Sequence, residues 1–500
     1  MDVIDRRQFL GRSAALAGST LFSAAAFERL QARAALASDG NKRSGDGGYG
    51  PVRPVAEAGS DGREILALPA GFSYVVFGKI GSTMTDGNPT PLALDGMAAF
   101  AGPRGTVRLI RNHEDRNPPG TGSVPASPGA YDESARGGTT TLDYDPGGRR
   151  LVRGFVSLSG TTVNCAGGRG LGHRSWISGE ELVGGPAFTN AAQRFPKRHG
   201  YLFEVPLRLS PGEPVTPEPL VAMGRFAHEA CATDQRTGVV YETEDPGTGQ
   251  GAGFYRFIPD DPDFLTEGGK LQMLAVRNRP QADLRDGQQV GRRLPVRWVD
   301  IEEPDPEYLV NNDPGSVFNQ GQGDGGAKFN RLEGCWYGGR DGIYFASTSG
   351  GEVKNGDVNS DGYEEGYGQI WNFRPERRSE GTLTLIYEST GAEALDSPDN
   401  LTVTPRGGLI LCEDDASSDS DTDETAPGIE DVNRLIGYSA RGEVFEFAVN
   451  RLNDSELAGA TFSPDGGTLF VNIFGRASLS DPPNEGMTIA IAGPWQRGGL

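Results

Sequence analysis

The sequence predicts an all-β fold, a β-propeller, and three observations carry that prediction. Glycine and proline supply 74 and 34 of the 500 residues, short β-type runs recur between turn signals, and long helical periodicities are scarce. The runs return at blade-like spacing, each a hairpin whose second strand ends on carboxylates or a glycine pair, without the fixed period of a WD40 array. A propeller, six blades being the expected number, with inserted loops and short helices is the favoured architecture; a two-sheet sandwich array is the alternative.

The chain opens DRRQFLGRSAALAGSTLFSAAAFERLQARAALAS, in which Arg6 and Arg7, then Phe9 and Leu10, precede a mildly apolar Ala-rich run and the small-residue site Ala35-Leu36-Ala37. That order is a twin-arginine (Tat-type) export signal, with cleavage expected after Ala37. Residues 38–500 are then one propeller domain. The signal carries five arginines and three acidic residues, so its removal takes the formal net charge from −21 to −23. Such acidity argues against a nucleic-acid partner. It fits either a solvated surface or carboxylates gathered to hold cations. No later segment approaches the roughly 18 continuous apolar residues of a membrane helix, so a periplasmic or secreted bacterial protein without stable membrane insertion, and a monomer, is expected.

After the Gly-rich lead SDGNKRSGDGGYG, the β runs follow in order: TTTLDYDPGGRRLVRGFVSL (139–158), HGYLFEVPL (199–207), TGVVYETEDP (237–246), GFYRFIPDD (253–261) and GGRDGIYFASTSGG (338–351). Then come GQIWNFRP (368–375), GGLILCEDD (407–415), RLIGYSARGEVFEFAVN (434–450) and FSPDGGTLFVNI (462–473). DPGG, ARGE and PDGG sit where hairpin turns need them. Closure is expected at the last strands, near GMTIAIAGPW (486–495). In a propeller the inner strands converge on one axis, so carboxylates far apart in sequence can meet there.

Cys165, Cys231, Cys335 and Cys412 are widely spaced and form no CxxC pair. Two disulfides are the alternative for an exported protein; mostly free thiols are favoured, because Cys231, Cys335 and Cys412 lie in apolar or small-residue strand contexts. With only four histidines, His113, His173, His199 and His228, a His-rich zinc or copper centre has little to build on. No GxSxG elbow or phosphate loop of the GxxxxGK[ST] type occurs.

Carboxylates recur instead at strand ends: Glu114, the pair Glu180 and Glu181, Glu229, Glu244 with Asp245, Glu333, Asp399, Glu413 with Asp414, and Glu456. A solvated loop carboxylate is the ordinary reading of any one of them. Glu333, Glu413 and Glu456 stand out because small or apolar neighbours would make an unpaired charge costly. Oxygen donors of this kind select Ca²⁺, Mg²⁺, Mn²⁺ or ferric iron. DVNSDGYEEGYG, from Asp357, begins like an EF-hand loop but has Gly368 at position twelve, a weak calcium signal; it and EDDASSDSDTDETAPGIED (413–431) read equally well as acidic loops.

GTTVNCAGG with its EE pair, GRFAHEA, YETED followed by GFYRF, FNRLEG, GQIWNF, SPDNL, CEDD and ELAGATFSPDGGTLFVNI ending in AGPW, in that order, together with the export signal, resemble the PhoX-type alkaline phosphatases. The likeness runs from about residue 65 to 495. It implies a propeller whose axial site holds Fe³⁺ and Ca²⁺ joined through a bridging oxygen and hydrolyses phosphomonoesters. It further implies Cys165 as an iron thiolate held by the turn at Gly167 and Gly168, Glu244, Glu333 and Asp399 as metal ligands, and Glu181, Glu413 and Glu456 as further ones. Arg331 would face the phosphate, or else pair with a neighbouring ligand carboxylate. Asn112 and Asn164 would donate to phosphate oxygens, or else cap turns. Between NCAGG and EE the family reads close to TPWGTWLTCEE, whereas this chain has RGLGHRSWISGEE, which keeps Trp176 and brings in His173 and Arg174. That departure bears on pocket shape and substrate preference. Two other functions stay open: a propeller that binds calcium or a ligand without hydrolysis, and a calcium-dependent propeller hydrolase of another ester class.

Overall fold

The turns named above close the hairpins they were expected to close. Asp145 accepts from the Gly147 N–H (3.0 Å) between strands Gly137–Asp145 and Arg150–Thr161. Gly442 (φ 88°) and Gly466 (φ 72°) take the left-handed conformation in the ARGE and PDGG turns, where a Cβ would be strained. The computed structural model describes residues 45–500 apart from 61, 127–128, 214, 248–250, 308–315, 377–380 and 416–420. The expected export signal, residues 1–37, and its expected cleavage site lie outside the described residues.

Six inner strands form the frame: Leu94–Ala101, Asn164–Arg169, His228–Thr233, Leu332–Tyr337, Pro398–Val403 and Leu457–Phe462. Each packs against the next, and the sixth packs against the first, so they close a ring around one axis. Antiparallel strands extend each outward as a blade. The architecture is therefore an all-β propeller, and the sandwich alternative falls away. The last blade is completed by the N-terminal strand Ser73–Phe77, which pairs with Met487–Ala492 and ties the two ends of the chain together. Blades three and four share one nine-stranded sheet because Arg293–Asp300 bridges their outer edges. The blades pack through apolar faces, as where Phe254 of blade three stacks on Phe345 of blade four with ring centres 4.2 Å apart.

Every inner strand carries a β-bulge near its start. In blades one to five two residues separate the paired positions on the inner strand where its partner has one: Asp95-Gly96, Cys165-Ala166, Glu229-Ala230, Glu333-Gly334 and Asp399-Asn400. Blade six repeats the device at Gly459-Ala460. A bulge frees one residue from the ladder and re-aims its side chain. In four blades the residue two before the first bulge residue is also left-handed, although none is glycine: Ala93 (φ 53°), Val163 (φ 45°), Arg331 (φ 38°) and Ser397 (φ 44°). The chain thus turns sharply into each inner strand before presenting a polar residue.

Candidate metal centre

The first bulge residues of blades one to five are Asp95, Cys165, Glu229, Glu333 and Asp399, and all five are buried. The small residue after each lets the inner strands approach closely. A Cβ on Gly96 would stand 2.4 Å from Ala166 Cα, and one on Gly334 would stand 2.7 Å from Asp399 O. Four further carboxylates join them. Glu114, Glu181 and Asp414 each follow directly on the second strand of a blade, and Glu456 precedes the inner strand of blade six.

These nine residues form four linked groups, Asp95-Glu114-Cys165, Cys165-Glu181-Glu229, Glu229-Glu333-Asp399 and Asp399-Asp414-Glu456, with the donor atoms of each group within 4.8 Å of one another. The Cys165 thiol donates to Asp95 Oδ2 at 3.0 Å. Asp95 Oδ1 and both oxygens of Glu229 are buried without a hydrogen-bond donor. Burial first, then like charge from neighbouring carboxylates, pushes Asp95, Glu181, Glu229, Glu333 and Glu456 well above the carboxylate range. The same causes raise Asp399 to about 8 and Asp414 to about 6. Burial and the surrounding carboxylates likewise push the Cys165 thiol up. Acceptors crowded this closely without donors are a cation-binding arrangement, because only added positive charge lets them all ionise.

Two guanidinium groups stand over the cluster. Arg116 pairs with Glu114 and, at 2.5 Å, with Glu181. Arg331 pairs with Asp245 at 2.9 Å and with Glu333 at 3.4 Å, its side chain 27% exposed. Both arginines are therefore placed to meet an anion approaching the centre, and Arg331 also makes the ion pair that was its alternative reading.

Of the residues that the sequence resemblance implied as ligands, Cys165, Glu181, Glu333, Asp399 and Glu456 fall within the four groups. Glu244 and Glu413 do not, and strand alternation gives the reason. Successive side chains in a strand face opposite ways, so in the runs EE, ED and EDD the first carboxylate turns into the blade and the second toward the axis. Glu244 accepts from the Gly253 N–H (2.9 Å) and the Tyr255 hydroxyl (2.7 Å). Glu413 accepts from the Arg434 guanidinium (2.6 Å) and the Asp396 N–H (2.8 Å). Glu180, the blade-facing member of the EE pair, accepts from the N–H groups of Thr162, Gly200 and Tyr201 and binds His199.

Asn112 and Asn164 are fully buried, with their amides spent inside the fold. Asn112 donates to the Cys165 and Ala166 carbonyls and accepts from Trp176 Nε1 (2.8 Å) and Ser178 Oγ (3.0 Å). Asn164 accepts from Thr161 Oγ1 (2.6 Å) and donates to Ser178 Oγ (2.9 Å). Both fix the strand that carries Cys165: the Asn112 amide donates to two carbonyls, and Asn164 is buried between Thr161 and Ser178. All four cysteines are free and buried. Within the EF-hand-like stretch Asp361 is committed to Arg285 at 2.7 Å.

Asp95, Glu114, Glu229 and Asp414 complete the groups without having been singled out as ligands. Their shared signal is positional. A carboxylate or cysteine followed by Gly, Ala or Asn opens an inner strand in DG, CA, EA, EG and DN, and the second of two strand-end acids faces the axis.

The chain matches the family described as alkaline phosphatase PhoX over residues 47–151 and 145–475. Among solved structures it is similar to PhoX of Pseudomonas fluorescens in complex with vanadate, a transition state analogue, with 18% identity, TM-score 0.62, and coverage of 90% of this chain and 99% of that one. A gluconolactonase of Xanthomonas campestris is 11% identical over 89% of this chain and 98% of its own, with TM-score 0.40. No curated protein matches the chain.

Proposed function

Because the chain belongs to the alkaline phosphatase PhoX family, we propose that it is an exported phosphomonoesterase that holds ferric iron and calcium at the propeller axis and releases inorganic phosphate. The observation that carries this reading is the run of four donor groups with orphaned buried oxygens. Their chemistry divides in two. The groups that contain Cys165 offer a thiolate beside carboxylates, which suits a transition metal such as iron; the all-carboxylate groups ending in Asp399 and Glu456 suit calcium. When bound, such cations withdraw charge from a phosphoryl group and activate water for attack on phosphorus.

The chain's own residues supply the rest. Arg331 and Arg116 bind and orient the phosphoryl oxygens, since a guanidinium matches two oxygens at once. Asp245 holds Arg331 at the rim, and Asn112 and Asn164 lock the backbone on either side of the thiol. The raised carboxyl and thiol pKa values mean that cation loading releases protons. Export by the twin-arginine route, to the periplasm or beyond, rests on Arg6 and Arg7 and the small-residue site ending at Ala37.

The test is p-nitrophenyl phosphate hydrolysis by exported protein, with iron and calcium measured on the same sample, for wild type and Cys165→Ala. Iron and turnover in wild type, both lost in Cys165→Ala, are the expected result. An iron-free wild type that releases no phosphate even with calcium added would overturn the reading.

A further inference from the structure

The second chemically distinctive region lies at the far end of the same strands. Ala101 lies six residue steps along the inner strand from Asp95, which at about 3.3 Å per step places it roughly 20 Å from the metal centre. There, between blades one and two, a cavity of about 1220 Å³ is lined by Arg104, Arg108, Arg153, Arg174 and Arg208, with His173 at its edge. Asp143 and Glu213 are the acidic residues among the described lining, and Asp263 pairs with Arg174 at 2.7 Å, so two positive charges remain in excess. The chain as a whole carries −21.

The arginines fall into two sets. Arg108 is buried and fixed, bidentate on Asp143 (2.8 and 3.0 Å) with its remaining nitrogen on the Leu207 and Leu209 carbonyls. Arg153 shares the same Asp143 at 2.7 Å, so one carboxylate serves two cations. Arg104 and Arg208 are exposed and have no carboxylate partner among the described residues. Two lining residues, Arg104 (φ 56°) and His173 (φ 53°), sit in left-handed backbone that non-glycine residues seldom adopt. Such strain persists where surrounding structure imposes it, and it gathers at ligand sites. His173 and Arg174 belong to RGLGHRSW, the segment in which this chain departs from the family pattern.

We propose that this cavity is a binding site, separate from the metal centre, for a soluble anion bearing two or more phosphoryl groups. Guanidinium forks match phosphoryl oxygens bidentately. The volume is at the upper end for small-molecule pockets and far exceeds what one oxyanion fills. Two excess charges call for a multiply charged ligand, and the cations line a recess between blades, which a soluble anion can enter more deeply than a flat lipid surface can. The site stands whether or not the axial centre hydrolyses phosphomonoesters.

The experiment is calorimetric titration of methylenediphosphonate, a non-hydrolysable diphosphate analogue, into metal-loaded protein. Wild type, the double variant Arg104→Gln with Arg208→Gln, and Glu229→Gln at the metal centre are compared at two salt concentrations. Saturable binding that weakens at higher salt, falls at least tenfold in the double variant and persists in Glu229→Gln is expected, with p-nitrophenyl phosphate turnover of the double variant unchanged. Equal affinity in wild type and double variant, or no binding in wild type, would overturn the proposal. A parallel arm uses phosphatidylglycerol vesicles; binding to vesicles without binding of the free diphosphonate would also overturn it. Both substituted arginines are exposed, so the variant keeps the fold on which the comparison depends.

Discussion

His199 provides a test of how the metal centre is braced. The imidazole is fully buried between two carboxylates, Nδ1 at 2.6 Å from Glu180 Oε1 and Nε2 at 3.5 Å from Asp132 Oδ2. Burial disfavours the imidazolium, but Glu180 and Asp132 outweigh it and raise the pKa to about 9. Against an unfolded value of about 6.5, that shift contributes about 3 kcal/mol. The sign follows from the direction: a group bound more tightly to its proton in the folded state stabilises fully below pH 6.5, and this contribution is lost as pH rises through 9. Asp132 is shifted the other way, so its contribution disappears only in acid and leaves this window clear. The assay is urea unfolding followed by tryptophan fluorescence at pH 6, 7.5 and 9.5, for wild type and His199→Gln at the same saturating metal concentrations. The stability gap between the two proteins should be widest at pH 6 and close by about 3 kcal/mol by pH 9.5. A gap that stays constant to within about 1 kcal/mol across that range would refute a charged His199.

Four other outcomes follow from the same geometry. Gly334→Ala drives a Cβ to 2.7 Å from both Asp399 O and Leu401 N; backbone cannot yield as a side chain can, so a loss of about 1–3 kcal/mol with reduced bound metal is expected, read by thermal unfolding and elemental analysis. Asp414→Asn should lower metal affinity at least tenfold in a calcium titration while leaving the fold intact. Glu413→Gln, one residue earlier, should do the reverse: retain metal but lose about 3 kcal/mol in urea unfolding, because buried Arg434 loses its nearest counter-charge and keeps the more distant Asp421 at 3.7 Å. Arg331→Gln should leave iron and calcium content unchanged and weaken binding of inorganic phosphate in a competition assay.

Much of the frame was legible because hairpin turns announce themselves locally. DPGG, ARGE and PDGG each sit between strands that pair as expected, and the carboxylate richness of strand ends pointed toward an axial site. The ring itself was harder to see, since it depends on contacts between inner strands that lie tens of residues apart and the insertion from Arg277 to Arg331 interrupts the spacing. Asp95 was hidden for a specific reason: Asp-Gly between apolar residues reads as a turn, whereas here it is a bulge inside a strand. Which acid of YETED or CEDD faces the axis is not visible in the run itself, because the run does not show where the ladder ends and one residue of register exchanges the two faces. For Asn112 and Asn164 two roles stay open from sequence, donation to phosphate oxygens or the capping of turns. Their burial against Trp176 and Ser178 becomes visible only once the strands are paired.

The bulges also explain why so many like charges can be held together. A carboxylate on a mobile loop would move away from its neighbours when no cation is bound. Here each of the five bulge residues is followed by Gly, Ala or Asn, packed against the next inner strand or hydrogen-bonded across it, as Asn400 Oδ1 is to the Gly459 N–H at 2.6 Å. Strand ladders behind them prevent retreat, and left-handed residues before four of them fix the entry of the chain. Carboxylates held this close by the ladders are pushed above the ordinary carboxylate range, Asp399 to about 8 and Asp414 to about 6. A rigid frame of this kind is the preorganisation that charge stabilisation of a phosphoryl group requires. The fold contributes to chemistry here through stiffness, and places to weaken it are Gly96 and Gly334, where an added Cβ would strike the backbone of the neighbouring inner strand.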